Sequence, residues 1–186
     1  MFSSSISFKT KAIARLPLSI LVASVIMGWS TKIFSEPVYF EKNIKNTVAE
    51  AKLSDQELAD LVQQIHQEIN QYRNSLNLAP LTLDAQINKQ AEIHSQNMAQ
   101  GQVEFSHDGF DRRVKALSNK ISYRRVSENV AYNQGYRAPA AKAVAGWIES
   151  EGHRQNIIGN YNLTGIGVAK NQRGEYYFTQ IFIGEK

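Results

Sequence analysis

The fold of this chain is decided by three short stretches: FSHDGF at 105–110, SENVAY at 127–132 and GWIESEGHRQNII at 146–158. Between them they carry two histidines, His107 and His153, and one glutamate, Glu128. Imidazole and carboxylate groups are the side chains most used for proton transfer, metal binding and charged hydrogen bonds. If the fold brings the three stretches together, these residues would form one polar cleft.

Helical periodicity surrounds these stretches on both sides. Apolar residues recur at helical spacing over 55–76, behind a capping box formed by Ser54 and Glu57. A second helix is predicted over 84–100, with Asp84 at its start and a buried face of Ile87, Ala91, His94 and Met98. Further helices are predicted over 109–118 and from the first-turn proline Pro139 to 149.

The last third of the chain changes to strand periodicity. LTGIGVA at 163–169 and YYFTQIFI at 176–183 are rich in β-branched and aromatic residues, and 171–174 is a turn. Residues 121–132 are expected to be extended or mixed. Helices with a small antiparallel sheet predict an α+β fold arranged in layers.

The first 35 residues differ from the rest. Lys9, Lys11 and Arg15 precede an apolar run from Leu16 to Trp29, which is the pattern of a signal peptide and is short for a membrane span. We expect residues 1–35 to be a cleaved signal peptide or an N-terminal anchor, 36–54 a linker and 55–186 one folded domain. The protein would then be exported, and only this N-terminal segment would contact a membrane.

Charge and cysteine content exclude several classes of function. The chain has 21 basic and 17 acidic residues, but four basic residues and no acidic one fall within 1–35, so the remainder has no net charge. Without a basic excess we expect no nucleic-acid partner. The absence of cysteine excludes disulfides, a cysteine nucleophile and a thiolate metal site. The pairs Arg112-Arg113 and Arg124-Arg125 are expected to be solvated or to pair with carboxylates.

The three stretches, in this order, resemble the CAP superfamily, which includes the cysteine-rich secretory proteins, antigen 5 and the pathogenesis-related proteins. The likeness is to its bacterial, cysteine-free members. Further matching pieces are HQEINQYR at 66–73, LAPLTLDAQI at 78–87, GIGV at 165–168 and FTQ at 178–180. The resemblance covers roughly residues 58–184.

This resemblance implies an α–β–α sandwich and a central cleft lined by two histidines and two acidic residues. Carried over by position, these are His107, Glu128 and His153, while the place of the second acid holds Ser150. Ser150 is flanked by Glu149 and Glu151, but neighbours on a helix point in different directions, so neither replaces the missing acid. A triad with Ser150 beside it is therefore expected.

Two interpretations of the triad remain open. His107, Glu128 and His153 are a suitable ligand set for Zn²⁺ with an open fourth position, and Gly152 would let the backbone turn so that His153 faces inward. Alternatively, the histidines brace two loops by hydrogen bonds to Glu128 or to the backbone. The same ligand set would also suit Cu²⁺ or Ni²⁺, since affinity alone does not choose among these metals.

The resemblance implies a binding module more than an enzyme. The ligand would be a lipid or sterol, a peptide, or another cell-envelope component at the His/Glu cleft, with Tyr132, Tyr136 and Tyr161 available to line a groove. The alternative is a metal-assisted, protease-like hydrolase that uses the same His107, Glu128 and His153. No G-x-S-x-G or H-E-x-x-H motif is present to support catalysis. His94 and Trp147 are expected in the core, His66 partly exposed, and Asn129 and Asn156 bonded to loop backbone.

Overall fold

The structure is a computed structural model that describes the backbone of residues 37–186 and the side chains from Asp55 onward. The predicted signal peptide or anchor over 1–35 lies outside the described residues. Within 37–186, five helices and four strands follow in order: α1 Pro37–Ser75, β1 Thr82–Leu83, α2 Ala85–Ala99, α3 Phe110–Ser118, β2 Tyr123–Gln134, α4 Pro139–Glu149, α5 Glu151–Ile158, β3 Leu163–Lys170 and β4 Glu175–Glu185. None of these described helices has both the length and the apolarity that a membrane crossing needs.

The strands form one sheet in the order β1-β3-β4-β2. Strand β4 pairs antiparallel with both β3 and β2, as the predicted hairpin requires. The two-residue β1 pairs parallel with the start of β3, a contact that the sequence did not predict. The sheet is therefore antiparallel apart from this short edge strand.

Side chains alternate along β4 and bind a helical layer to each face of the sheet. Phe178 and Phe182 pack with α1 and α4, whereas Ile181 and Ile183 pack with α2 and α3. All four are fully buried. This arrangement is the predicted α–β–α sandwich, with one core on each side of the sheet.

Close packing of α2 on the sheet depends on two glycines of β3. A Cβ atom on Gly167 would lie 2.2 Å from the backbone of Ala91, and one on Gly165 would lie 2.3 Å from the backbone of Asn88. The Ser95 hydroxyl donates to Gly167 O across the same contact. The helix thus lies directly on the strand, with no side chain between them.

Two local predictions were wrong. Helix α1 runs through residue 54, so Ser54 does not cap it and residues 37–54 are helical; Pro37, which lacks an N–H, suits the first turn. Glu57 instead accepts a hydrogen bond from the Tyr176 hydroxyl and pairs with Lys170 at 3.4 Å. Gly152 does not turn the chain, because it lies inside α5; the direction changes at Ser150, whose backbone is extended (φ −81°, ψ 120°).

Candidate functional site

A buried ion pair lies at the centre of the predicted site. The Arg113 guanidinium donates from Nη2 to Glu128 Oε1 at 2.7 Å and from Nε to Oε2 at 2.9 Å. Only 1% of the Glu128 side chain and 9% of the Arg113 side chain are exposed. Such a bidentate pair fixes both groups, since it satisfies both carboxylate oxygens.

His107 contacts the same carboxylate from the solvent side. Its Nδ1 lies 3.0 Å from Glu128 Oε1, and 52% of its side chain is exposed. An ionised carboxylate only accepts, so Nδ1 carries the proton and donates it. In the neutral ring Nε2 is therefore left as an unprotonated acceptor. Glu128 orients His107 in the way that carboxylates orient catalytic or metal-binding histidines.

His94 completes the network from the inner side. Its Nε2 donates to Ser106 O at 2.8 Å, and its Nδ1 accepts from Arg113 Nη1 at 3.1 Å. The ring is therefore neutral, and burial is the main cause that lowers its pKa below the usual value, with the Arg113 charge acting in the same direction. The prediction that His94 is a hydrogen-bonded core residue is confirmed; its contact with the ion pair was not foreseen.

His153 lies on α5, close to His107. Burial is the larger cause that lowers the pKa of His153 below its usual value, and a positive charge on His107 would lower it further. The backbone at this point is held by amides, because Asn129 Nδ2 donates to His153 O at 3.1 Å and Asn156 Nδ2 donates to Glu128 O at 3.3 Å. Asn129 and Asn156 thus bind backbone carbonyls, but those of α5 and β2 and not the loop backbone that was predicted.

His153 and Ser150 line a cleft of about 610 Å³, which we call the aromatic cleft. It lies between β2, α4 and the loop before α3, and its other lining residues include Phe105, Tyr132, Tyr136 and Trp147. Phe105, Tyr132 and Tyr136 are 51%, 45% and 51% exposed. Tyr161, which was expected to share this groove, instead packs on Phe182 with ring centroids 5.7 Å apart.

Trp147 forms the inner wall of the aromatic cleft. Its side chain is 1% exposed, and its indole Nε1 donates to Val130 O at 3.0 Å. This tie holds α4 against β2, as expected of a core residue. His66, on α1, is half-buried and donates to Leu81 O at 2.8 Å, away from the cleft.

The ligand set predicted for zinc does not fit the described residues. No group of three or more His, Cys, Asp or Glu side chains within this part of the chain is placed to hold a metal ion. The donor chemistry gives the reason: both oxygens of Glu128 are already bonded to Arg113, and one of them also to His107. The one lone pair that remains, on Oε2, belongs to a buried carboxylate beside the guanidinium cation, which would repel a metal cation.

The sequence of α3 contains a signal for the burial of Arg113. Phe110, Arg113, Val114 and Leu117 fall at i, i+3, i+4 and i+7, so the arginine lies on the buried stripe of α3. A cation on an apolar stripe demands a buried partner. The prediction that the arginine pairs contact carboxylates holds for this residue, although its partner was not identified.

Comparison with known proteins now identifies the domain. The family described as "CAP: Cysteine-rich secretory protein family" matches residues 66–182.

The chain belongs to the cysteine-rich secretory protein (CAP) family.

Two curated relatives come from Bacillus subtilis. The uncharacterised protein YkwD is 34% identical over 155 residues, covering 80% of this chain and 55% of YkwD. The uncharacterised membrane protein YlbC is 33% identical over 111 residues, covering 57% of this chain and 29% of YlbC. This chain thus spans about half or less of these relatives.

Solved structures show the same fold. An extracellular protein containing an SCP domain from Bacillus anthracis is 30% identical, with a TM-score of 0.55 over 68% of this chain and 41% of that one. An outer surface protein from Borrelia burgdorferi is 19% identical, with a TM-score of 0.58 over 68% of this chain and 94% of that one. At 19% identity, the likeness to the Borrelia burgdorferi protein shows the fold alone.

Proposed function

We propose that this CAP domain is exported and acts as a binding module for a component of the cell envelope. Export is supported by the basic and apolar N-terminal sequence. It is also supported by the relatives, since one is described as extracellular and another as a membrane protein. The ligand sits in the aromatic cleft, where His153 and Ser150 offer polar contacts beside exposed rings.

The observation that carries this proposal is the clustering of exposed aromatic rings at one cleft. Of five large apolar side chains exposed within the described residues, Phe105, Tyr132 and Tyr136 line the same cleft. Single exposed apolar residues are common, whereas a cluster marks an interaction site. A cleft of a few hundred cubic ångströms with a small number of polar groups is the usual form of a ligand site.

Binding to cell-envelope material tests this proposal. We would incubate the full chain with insoluble cell wall and, separately, with phospholipid vesicles, and measure the fraction that sediments. We expect Tyr132→Ala/Tyr136→Ala to lose retention. The matched control is Leu76→Ala/Ile93→Ala, which removes two apolar groups of similar exposure outside the cleft. Equal retention of both double variants, or none by the unaltered protein, would refute the proposal.

Hydrolysis is the second candidate, and the orientation of His107 favours it. With Nδ1–H bonded to Glu128, the Nε2 lone pair could accept a proton from an attacking water. The carboxylate would then stabilise the imidazolium that forms. Ser150 is not positioned as a nucleophile, because within the described residues its side chain makes no hydrogen bond to either histidine.

The hydrolase candidate is tested by turnover rather than retention. Soluble products released from cell wall or from a generic peptide would be measured for the full chain, for His107→Ala and for His66→Ala as a control outside the cleft. Release lost only in His107→Ala would support catalysis. Absence of release from the unaltered protein would leave binding as the function.

A further inference from the structure

A second cleft of about 970 Å³ adjoins the aromatic cleft, and we call it the loop cleft. It is formed by the segment 98–105 after α2, by the end of β3 with the turn 171–173, and by Leu58 and Tyr177. Phe105 lines both clefts. Each cleft alone has the size of a small-molecule site.

An aromatic ridge joins the two clefts. The Phe105 ring lies 6.2 Å from that of Tyr132, and the Tyr132 ring lies 5.2 Å from that of Tyr177. Phe105 and Tyr132 are about half exposed, so both rings are accessible to a ligand that crosses from one cleft to the other. Gln134 Nε2 donates to Arg173 O at 2.7 Å and so links a lining residue of the aromatic cleft to one of the loop cleft. A ligand longer than one cleft would therefore meet aromatic rings where the two clefts adjoin.

The polar groups around the ridge are mainly uncharged. Amide side chains, which both donate and accept, line the two clefts: Gln96, Gln100, Gln102, Asn133, Gln134, Asn171 and Gln172. Of the three lining Lys and Arg cations, Lys170 pairs with Glu57, Arg173 pairs with Glu175, and Lys142 lies over the Tyr136 ring. Such a lining suits a neutral ligand with many hydroxyl groups more than an anionic one.

The strand beside the aromatic cleft is poorly suited to a peptide. Extended peptides usually bind by adding a strand to a free sheet edge. Along β2, the carbonyl groups of Glu128 and Val130 already accept from Asn156 and Trp147. A lipid is also less suitable, since seven amide side chains would leave its apolar chains facing polar groups.

We propose that the two clefts form one groove for a glycan chain, whose sugar rings stack on the exposed rings of Phe105 and Tyr132, with the buried Tyr177 ring packed against Tyr132, while their hydroxyls bond to the amides on either side. The inference rests on the proposed binding function, and it adds the ligand class and a second cleft.

Oligosaccharides of increasing length test the groove. Calorimetric titration of the full chain would use the dimer, tetramer and hexamer of β-1,4-linked N-acetylglucosamine and of β-1,4-linked glucose. We expect the affinity for at least one series to rise by about tenfold or more from dimer to hexamer, because only the longer chain reaches both clefts. Phe105→Ala should remove this gain, and Ile93→Ala should keep it. Unchanged melting temperatures would show that both variants fold.

The outcomes separate this inference from the proposed function. If neither series binds, but cell wall or vesicles still retain the protein through Tyr132 and Tyr136, the glycan is refuted and the binding module stands. Binding that is independent of length, or a length gain that survives in Phe105→Ala, refutes the continuous groove. If no material is retained at all, the proposed function itself fails.

Discussion

Arg113 and Glu128 form a buried ion pair, and removal of either side chain would lower the free energy of unfolding. The carboxylate is almost fully buried, and the guanidinium supplies two of its three side-chain hydrogen bonds. A buried pair adds little net stability over an apolar pair, but removal of one partner leaves an unpaired charge. At this position, therefore, the pair mainly specifies one arrangement of α3 against β2.

Removal of the cation should be strongly destabilising. We expect Arg113→Met to lower the free energy of unfolding by about 3 kcal/mol or more, because Glu128 would keep a buried charge without its partner. Urea denaturation measures this loss. Arg112→Met is the control, since Arg112 is the exposed neighbour on the same helix. A loss of the same size in both variants would show that the ion pair is not the cause.

The buried imidazole of His94 should make stability depend on pH. Its pKa is lowered in the folded state, so below about pH 6.5 the unfolded chain binds more protons. The contribution of His94 to stability is complete above about pH 6.5, and it is lost progressively as the pH falls toward the pKa of His94 in the folded state. His153, whose pKa is also lowered, acts in the same direction.

A glutamine at position 94 isolates the contribution of that ring. Glutamine can donate to Ser106 O and accept from Arg113, but it does not titrate. We expect His94→Gln to lose less stability than the unaltered protein between about pH 7.5 and about pH 5, as followed by urea unfolding at each pH. An identical loss in both proteins would assign the pH dependence to other groups.

At the scale of the elements, the sequence predicted the helices and strands that are defined by a pattern of residues within the element itself. The helices 84–100 and 109–118 and the strands of the hairpin appear close to their expected bounds, because periodicity and caps define them. Two residues of β1 carry no periodicity, and their strand exists only because β3 lies beside them. Helix α5 was not predicted at all, because Gly152 was interpreted as a turn.

For the site, the titratable residues His107, Glu128 and His153 could be selected from the sequence. Only the resemblance to the CAP superfamily implied that they lie together in one cleft. Neither could place the aromatic cleft, since exposure of Phe105 and Tyr132 depends on how the loop before α3 packs on the sheet. The ridge joins residues from three segments that are distant in sequence, and no local pattern encodes such a contact. Burial of Arg113 was readable in principle from the apolar stripe of α3.

The glycines of β3 and α5 should respond in opposite ways. Gly167→Ala should lower the free energy of unfolding by about 2 kcal/mol, because its Cβ would overlap the backbone of Ala91. Gly152→Ala should raise it by about 0.5–1 kcal/mol, because this glycine is helical and has nothing within 4 Å of a Cβ position. Thermal or urea unfolding distinguishes the two. Destabilisation by Gly152→Ala would restore the interpretation of a tight turn.

At the scale of the whole molecule, one arginine joins the ends of two helices. Arg73 is 2% exposed and lies in the last turn of α1. Its guanidinium donates to four backbone carbonyls, those of Ala79, Ile157, Gly159 and Tyr161. The charge is thus solvated by peptide groups, and it holds α1 to the end of α5 and to the segment that leads into β3.

Lysine should not replace this arginine. An ammonium group offers three donors from one point and cannot reach four carbonyls in the geometry of the planar fork. We expect Arg73→Lys to lower the free energy of unfolding by about 2 kcal/mol or more, with Arg137→Lys, on the exposed surface, nearly neutral. The check is urea denaturation of both variants; an equally neutral Arg73→Lys would contradict the assigned role.

The strand order has a kinetic consequence. β4 lies between β3 and β2, yet it is the last strand along the sequence, and its partner β2 lies some fifty residues earlier. Until residues 175–185 are available, β2 and β3 have no central strand to pair with, and Glu128 has no sheet to hold it in place. Pairings of such long sequence separation form slowly. During synthesis or refolding, the cleft should thus be among the last features to mature, and stalled intermediates should expose two strand edges that favour aggregation.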